Sequence, residues 1–444
     1  MRLILMICLA LRLLLFFVSK PWTAAVRDNI FLQADGNEYH SIALSLLAKG
    51  DFSAGEEFKG LRTPVYPFYV SAIYWVTGPR PWVVVLTHAF IDTFSCWLLF
   101  LSLVNLLGPR VSRIAALFYA IDPSLIYYSC TLFSDTVFVF TIVLFFYYFS
   151  RLLKDLHNPV TKNIILSALF LGVATLTKPI SVGLPVLIVL TLLFLTRGRT
   201  WSLRRSVFFL GVFFLALSPW MTRNYIRFGH FALSNSGDFN MLEVYVSHME
   251  MTRRHSNDLY HTIGELEAEA DRLIRLDGYD PATINPFDKA AYYRRLSMIY
   301  INKYPLLFTK HILLGASHEV FGLDTGGYSE LLSFSNTSGS FTVFAHTSIV
   351  ESVQAFFREK TYIEIMLGFG IAVYLAVTYA CALYGIFISF RLHKVYTILC
   401  LLIILYFIIL PGPGGWVRYK LPAIPFYLGF AGLGWKNIFR SFDI

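Results

Sequence analysis

The chain has 444 residues, 56% of them hydrophobic and 15% charged, with a mean hydropathy of +0.59. So much apolar surface excludes a dispersed soluble protein, and runs of about 20 apolar residues, enough to cross a bilayer core, recur along the whole chain. The net charge of +9 sits mostly in short clusters between those runs, as the positive-inside rule expects, and not in the single patch that nucleic-acid binding needs. Cys8, Cys96, Cys130, Cys381 and Cys400 lie in or beside apolar segments without paired spacing. They read as small buried residues, neither a zinc site nor a disulfide framework.

In chain order, the first apolar run begins at Met1. Arg12 interrupts what would be a signal-peptide core, so the run reads as a retained first helix. Spans are expected near 3–22, 82–105, 112–129, 135–152, 164–177, 181–196, 206–222, 363–389, 395–410 and 421–435. The basic turns at 108–113, 151–162, 197–205, 391–394 and 436–440 then all fall on one side, the cytoplasmic one, and both termini lie there. The expected architecture is an all-α polytopic bundle of about ten membrane helices. It divides into an N-terminal membrane module (1–222), an extracytoplasmic segment (223–362) and C-terminal membrane helices (363–444).

Two long polar segments face the other side. In the first, 23–81, "GNEYHSIALSLLAKG" has helical spacing and a Gly stop, and "PVYPFYVSAIYWVTG" is apolar but short for a span. Both are expected as helices at the membrane surface. In the second, 264–276 and 287–305 read as charged helices, and 306–321 as an interfacial or dipping one. Asn336 opens an Asn-Thr-Ser glycosylation triplet, a pattern common by chance. There is no internal repeat, Walker loop or dinucleotide fingerprint.

The informative charges are those on the outer face, where the positive-inside rule does not put them: Asp35, Glu38, Arg62, Asp135, Lys178, Arg223, Arg418 and Lys420. Ionisable groups at a lipid interface are costly and tend to pair or to line a polar cavity. A cavity at the outer leaflet would gather carboxylates and basic groups at one depth. A carboxylate there can serve as general base toward a hydroxyl. Guanidinium and ammonium groups can hold a phosphate and stabilise the charge it gains on leaving. Together they suit transfer from a lipid-phosphate donor.

Simpler roles stand beside these. Asp35 precedes a helix and can cap it. Glu38 can be a first-turn acid favoured by the dipole. Asp135 follows Ser134 at a helix start. Arg62 can snorkel to headgroups, Lys178 beside Pro179 can anchor the interface, and Arg223 can flank its span. Arg12 must face protein or water. His88 reads as an interior hydrogen-bonded residue, and His248, His255 and His261 lack metal-ligand spacing.

At these residues the sequence resembles the GT-C glycosyltransferases that use polyprenyl-phosphate sugars, in the branch of the protein O-mannosyltransferases and lipid A aminoarabinose transferases. The resemblance runs along nearly the whole chain. It rests on Asp35 to Tyr39, on Arg62-x-Pro64-x-Tyr66, and on "LFSDTVFVF", "ATLTKP", "SPWMTRNYIRFGHFALS" and "RYKLPAIP". It implies an inverting transfer at an outer face, with Asp35 as base, Asp135 as its partner and Arg62 as a phosphate contact. Arg418 and Lys420 join Arg62 as phosphate ligands, and Lys178 and Arg223 are grouped with them. Many relatives carry adjacent acids in the first loop, whereas Gly36 follows Asp35 here. Glu38 is then the second acid available. No metal ligand is assigned, and a divalent metal stays open. The implied partners are a polyprenyl-phosphate-linked sugar and a lipid, glycan or protein acceptor, in the cell (inner or plasma) membrane. A lipid-linked sugar transporter, or a polymerase or ligase using a pyrophosphate donor, stands as the alternative.

Overall fold

A computed structural model describes residues 1–54, 60–256, 258–332 and 360–439. Asn336 and its triplet lie outside them. All regular structure in the described residues is helical, as an apolar chain in lipid requires of its backbone. Among the described residues six helices are long and apolar enough to cross a membrane: α1 (Arg2–Ser19), Pro81–Leu107, Asp135–Lys154, Pro179–Thr196, Leu203–Phe228 and Tyr362–Leu392. Thr161–Thr177 and Lys394–Ile409 are apolar but shorter.

The single span expected over 112–129 is two helices, Pro109–Ile121 and Pro123–Ser129. The break is chemical. Pro123 cannot continue a helix, and Asp122 turns extended and accepts a hydrogen bond from the Leu125 amide (3.0 Å) as an N-cap. The helix beginning at Asp135 packs against Pro81–Leu107 on one side and Thr161–Thr177 on the other. It is the most enclosed of the six.

Both surface helices of the first polar segment form: α2 (Ala34–Lys49), stopped by left-handed Gly50, and α3 (Val65–Thr77). In the second segment Leu259–Leu276, Pro286–Lys303 and Pro305–Phe321 are helical. Leu242, Val246, Met249, Leu266, Ala270, Tyr293 and Leu296 give this segment a small core of its own.

Arg12 is fully buried inside the bundle. It donates to the Asp92 carboxylate (2.6 Å) and to the carbonyls of Ala120 (2.5 Å), Cys8 (3.2 Å) and Tyr119 (3.4 Å). The Tyr119 hydroxyl donates to the other Asp92 oxygen (2.5 Å). A buried charge is tolerable only with this degree of pairing.

Candidate active site

Most of the candidate residues meet at one end of the bundle because successive helices begin and end there. Asp135 starts a helix that runs away from the site to Lys154. The next, Thr161–Thr177, returns to deliver Lys178. A 3-10 turn, Pro179–Gly183, sends the chain away again through Leu184–Thr196. Lys394–Ile409 comes back to Leu410, and a 3-10 strap, Val417–Ala423, then carries Arg418 across the opening.

Asp35 lies in the first turn of α2, one residue inside the helix rather than at its cap, which is Gln33. Its carboxylate is therefore not spent on helix amides. One oxygen accepts from the Arg62 guanidinium and the other from Arg418, each at 2.7 Å. The Arg62 Nε also donates to Glu38, one turn further on, and its guanidinium lies over the Tyr39 ring at 5.2 Å. The Thr63 hydroxyl donates to the Thr177 carbonyl (3.1 Å), pinning the Arg62 loop beside Lys178.

Asp135 accepts from Lys178 at 2.6 Å, while its second oxygen is buried without a hydrogen-bond partner. Tyr39 and Ser134 share a hydroxyl hydrogen bond of 3.0 Å, which ties α2 to the start of the Asp135 helix. Arg418 is sandwiched among the rings of Trp416 (4.5 Å), Phe133 (5.3 Å) and Tyr419 (5.3 Å). Its Nε is also buried without a partner.

Burial would push the Asp35 carboxyl up, but Arg62, Arg418 and Lys178 together outweigh it and hold it well below the usual carboxylate range. Burial pulls the Lys178 amine down, and the pull of Asp135 only partly offsets it.

Asp35, Tyr39, Arg62, Asp135, Lys178 and Arg418 line one cleft of about 440 Å³. Its remaining wall is of two kinds. Phe138, Ile180, Val182, Leu410 and Pro422 make an apolar side, and Ser234, Ser236 and Asn240 make a polar one. The polar stretch belongs to the second polar segment, and "LSNSGDFN", with Asp238 as its one charge, has no periodicity that marks it. Tyr245 from the same segment donates to the Leu410 carbonyl (2.6 Å) at the cleft edge. Gly315, on the Pro305–Phe321 helix, presses on the backbone of Gly412–Gly415, the turn leading into the strap, so closely that a Cβ would strike the Gly412 carbonyl.

Three expected site residues, Glu38, Lys420 and Arg223, are not in this cleft lining, and Glu38 meets it only through its ion pair with Arg62. Lys420 faces the opposite side of the strap, donating to the Val320 carbonyl (3.4 Å) with Asp122, Asp324 and Glu319 as its charged neighbours. Sequence reasoning missed that acidic group, in which burial pushes Glu319 up to about 9 against the pull of Lys420. Arg223 donates to Asn224 (2.9 Å) and to the Phe52 carbonyl (3.3 Å), and lies over Trp220 at 4.9 Å.

The lack of a second acid directly after Asp35 has a steric cause. A Cβ at Gly36 would collide with the Phe31 carbonyl and sit 3.4 Å from that of Leu132, so no second carboxylate fits there. Among the described residues no group of three or more His, Cys, Asp or Glu stands together in a metal-holding arrangement. Asp35, Glu38 and Asp135 are each tied to a basic side chain. The residues present therefore do not form a divalent-metal site.

Residues 61–223 match the family described as dolichyl-phosphate-mannose-protein mannosyltransferase. Among solved structures, the chain is similar to ArnT from Cupriavidus metallidurans bound to undecaprenyl phosphate, at 13% identity and a TM-score of 0.43, covering 98% of this chain and 77% of that one. It is also similar to the archaeal oligosaccharyltransferase AglB from Archaeoglobus fulgidus in complex with an inhibitory peptide and a dolichol-phosphate. There the identity is 10% and the TM-score 0.51, covering 98% of this chain and 50% of that one, so the chain spans about half of AglB. Comparison with curated proteins gives no match. Over residues 61–223 the chain is similar to the dolichyl-phosphate-mannose-protein mannosyltransferases, and its helical fold, with helices long and apolar enough to cross a membrane, is similar to that of AglB.

Proposed function

We propose that this protein is a membrane glycosyltransferase that moves a sugar from a polyprenyl-phosphate-linked donor to an acceptor hydroxyl, with inversion, at the extracytoplasmic face. The observation that carries the reading is the meeting of Asp35 with Arg62 and Arg418 in a cleft that also has an apolar side. Guanidiniums suit a phosphate, the apolar side suits the adjoining isoprenoid, and the carboxylate is within reach of both. The family match over residues 61–223 supports the same class of reaction.

In the proposed step Asp35 takes the proton of the acceptor hydroxyl as its oxygen attacks the anomeric carbon. The bond from that carbon to the phosphate oxygen breaks on the opposite side. The electron pair stays on the phosphate, which gains a negative charge beside Arg62, Arg418 and Lys178. Asp135 keeps Lys178 oriented. The helices that leave the cleft at Asp135 and Leu184 end next to the basic turns at 151–162 and 197–205. The positive-inside rule then favours an extracytoplasmic cleft and cytoplasmic termini. The second outer segment, through Ser234–Asn240, is the part that meets the acceptor.

The test is a reconstituted transfer assay with a panel of radiolabelled polyprenyl-phosphate sugars. Wild-type protein is expected to release sugar from at least one donor, and Asp35→Asn to bind that donor without cleaving it. Movement of intact lipid across the bilayer, equal in wild type and variant and without cleavage, would make the protein a transporter and sink the reading.

A further inference from the structure

Each cation at the cleft is already paired with a carboxylate. Arg62 holds Asp35 and Glu38, Arg418 holds Asp35, and Lys178 holds Asp135. A phosphate entering this set meets no unpaired cation, so it must share or displace a carboxylate. The pairs differ in how readily they can be released. Lys178 is the hydrogen-bonding partner of the nearly buried Asp135, whose other oxygen has none. Asp35 is fixed from two sides by groups 27 and 383 residues away in sequence. Arg418 keeps a buried Nε with no partner, one of the five N–H donors a guanidinium carries.

We propose that Asp35 and the donor phosphate are alternative partners of Arg62 and Arg418, so that the same two guanidiniums hold the base before the donor arrives and the phosphate as it leaves. The proposal rests on the transferase reading above. It assigns Arg418 a second role, as the group that couples phosphate binding to release of the base. A carboxylate gripped by two guanidiniums is a weak proton acceptor, and exchange restores its basicity when a phosphate is in place. The charges balance. The donor is a phosphodiester with one negative charge. Transfer forms the bond from the acceptor oxygen to the anomeric carbon and breaks the bond to phosphate, whose oxygen keeps the electron pair and gains one charge. Asp35 takes the acceptor's proton and loses one. The need for the guanidiniums thus passes from carboxylate to phosphate as the bond breaks, and water finds an unreactive base while no donor is bound.

The test measures retention of radiolabelled undecaprenyl phosphate by the full chain in nanodiscs, for wild type, Asp35→Asn, Arg418→Gln and the double variant. If the carboxylate competes with phosphate, removing its charge tightens lipid binding by about tenfold, the scale of a charge-assisted hydrogen bond. Asp35→Ser, which removes the same charge with a smaller side chain, repeats the gain. In the Arg418→Gln background the gain shrinks, since the two residues act through one contact. Binding that is unchanged or weaker in Asp35→Asn and Asp35→Ser overturns the proposal. So does a gain equal in both backgrounds, because loss of plain repulsion needs no exchange. Failure of every variant and of wild type to retain the lipid above empty nanodiscs overturns the transferase reading itself, and the exchange with it.

Discussion

Replacing Arg12 with Leu tests whether the ionic network inside the bundle is structural and independent of the cleft. Arg12 is fully buried and makes four hydrogen bonds, to Asp92 and to three carbonyls. Its loss leaves Asp92 buried with a hydrogen bond from the Tyr119 hydroxyl, and leaves the Ala120 carbonyl without its 2.5 Å partner. Breaking a buried ion pair on one side costs about 3–5 kcal/mol, because a charge is left uncompensated. Removing both charges together, as Arg12→Leu with Asp92→Leu, eliminates that charge. It leaves orphaned dipoles worth about 1–3 kcal/mol, so the double variant should be more stable than the single one. The assay is unfolding by denaturing detergent in mixed micelles, followed by tryptophan fluorescence. Lipid-phosphate retention of the folded fraction is measured in parallel and is expected to be unchanged. A single variant as stable as wild type, or a double variant weaker than the single, would refute the reasoning. Loss of lipid retention in a folded Arg12→Leu protein would connect this residue to the substrate after all.

Lys178→Gln should lower transfer by about a hundredfold, the scale of one lost electrostatic donor, and also lower stability, since it leaves the buried Asp135 without its charged partner; unchanged turnover would remove Lys178 from the phosphate site. Burial, with Glu267 and Glu38 adding to it, raises Glu243 to about 7 despite Lys289. An acid with a raised folded pKa binds more protons folded than unfolded, so its contribution to stability is full below the ordinary Glu range and is lost as pH rises through about 7. Melts of Glu243→Gln should therefore show a smaller drop between pH 5 and pH 8 than wild type, and equal slopes would count against this. Gly385→Val would place a Cβ against the Phe430 carbonyl where Tyr362–Leu392 crosses the last helix, Ile424–Ile438. A destabilisation of about 1–3 kcal/mol is expected from such overpacking, readable in the same detergent titration.

The membrane helices were legible because length and hydropathy report on lipid directly. The break at Asp122-Pro123 was legible in its residues but was passed over in favour of an 18-residue run. Asp35, Arg62, Asp135, Lys178 and Arg418 could be chosen because an ionisable group at a lipid interface needs a reason. Their pairing could not, since Arg418 reaches Asp35 across 383 residues. Lys420 shows how local geometry decides. In an extended segment residues 418 and 420 would share a face, but the strap is a 3-10 helix, where three residues complete a turn and residues two apart point different ways. Arg223 failed for a similar reason: the end of Leu203–Phe228 turns it onto Trp220 and Phe52 rather than into the cleft. Gly36 was noticed as a departure, yet only the proximity of the Phe31 carbonyl explains it.

The seat of Gly315 on the Gly412–Gly415 turn divides the labour of the molecule. The join between the outer segment and the strap that presents Arg418 is made there by backbone against backbone. It is intolerant of one methyl group, and Tyr245, Val244 and His318 of the same segment bear on the turn as well. Ser234, Ser236 and Asn240 line the cleft from that segment and are free of the join. Such a junction lets the cleft face made by Ser234, Ser236 and Asn240 change, residue by residue, while Arg418 keeps its position.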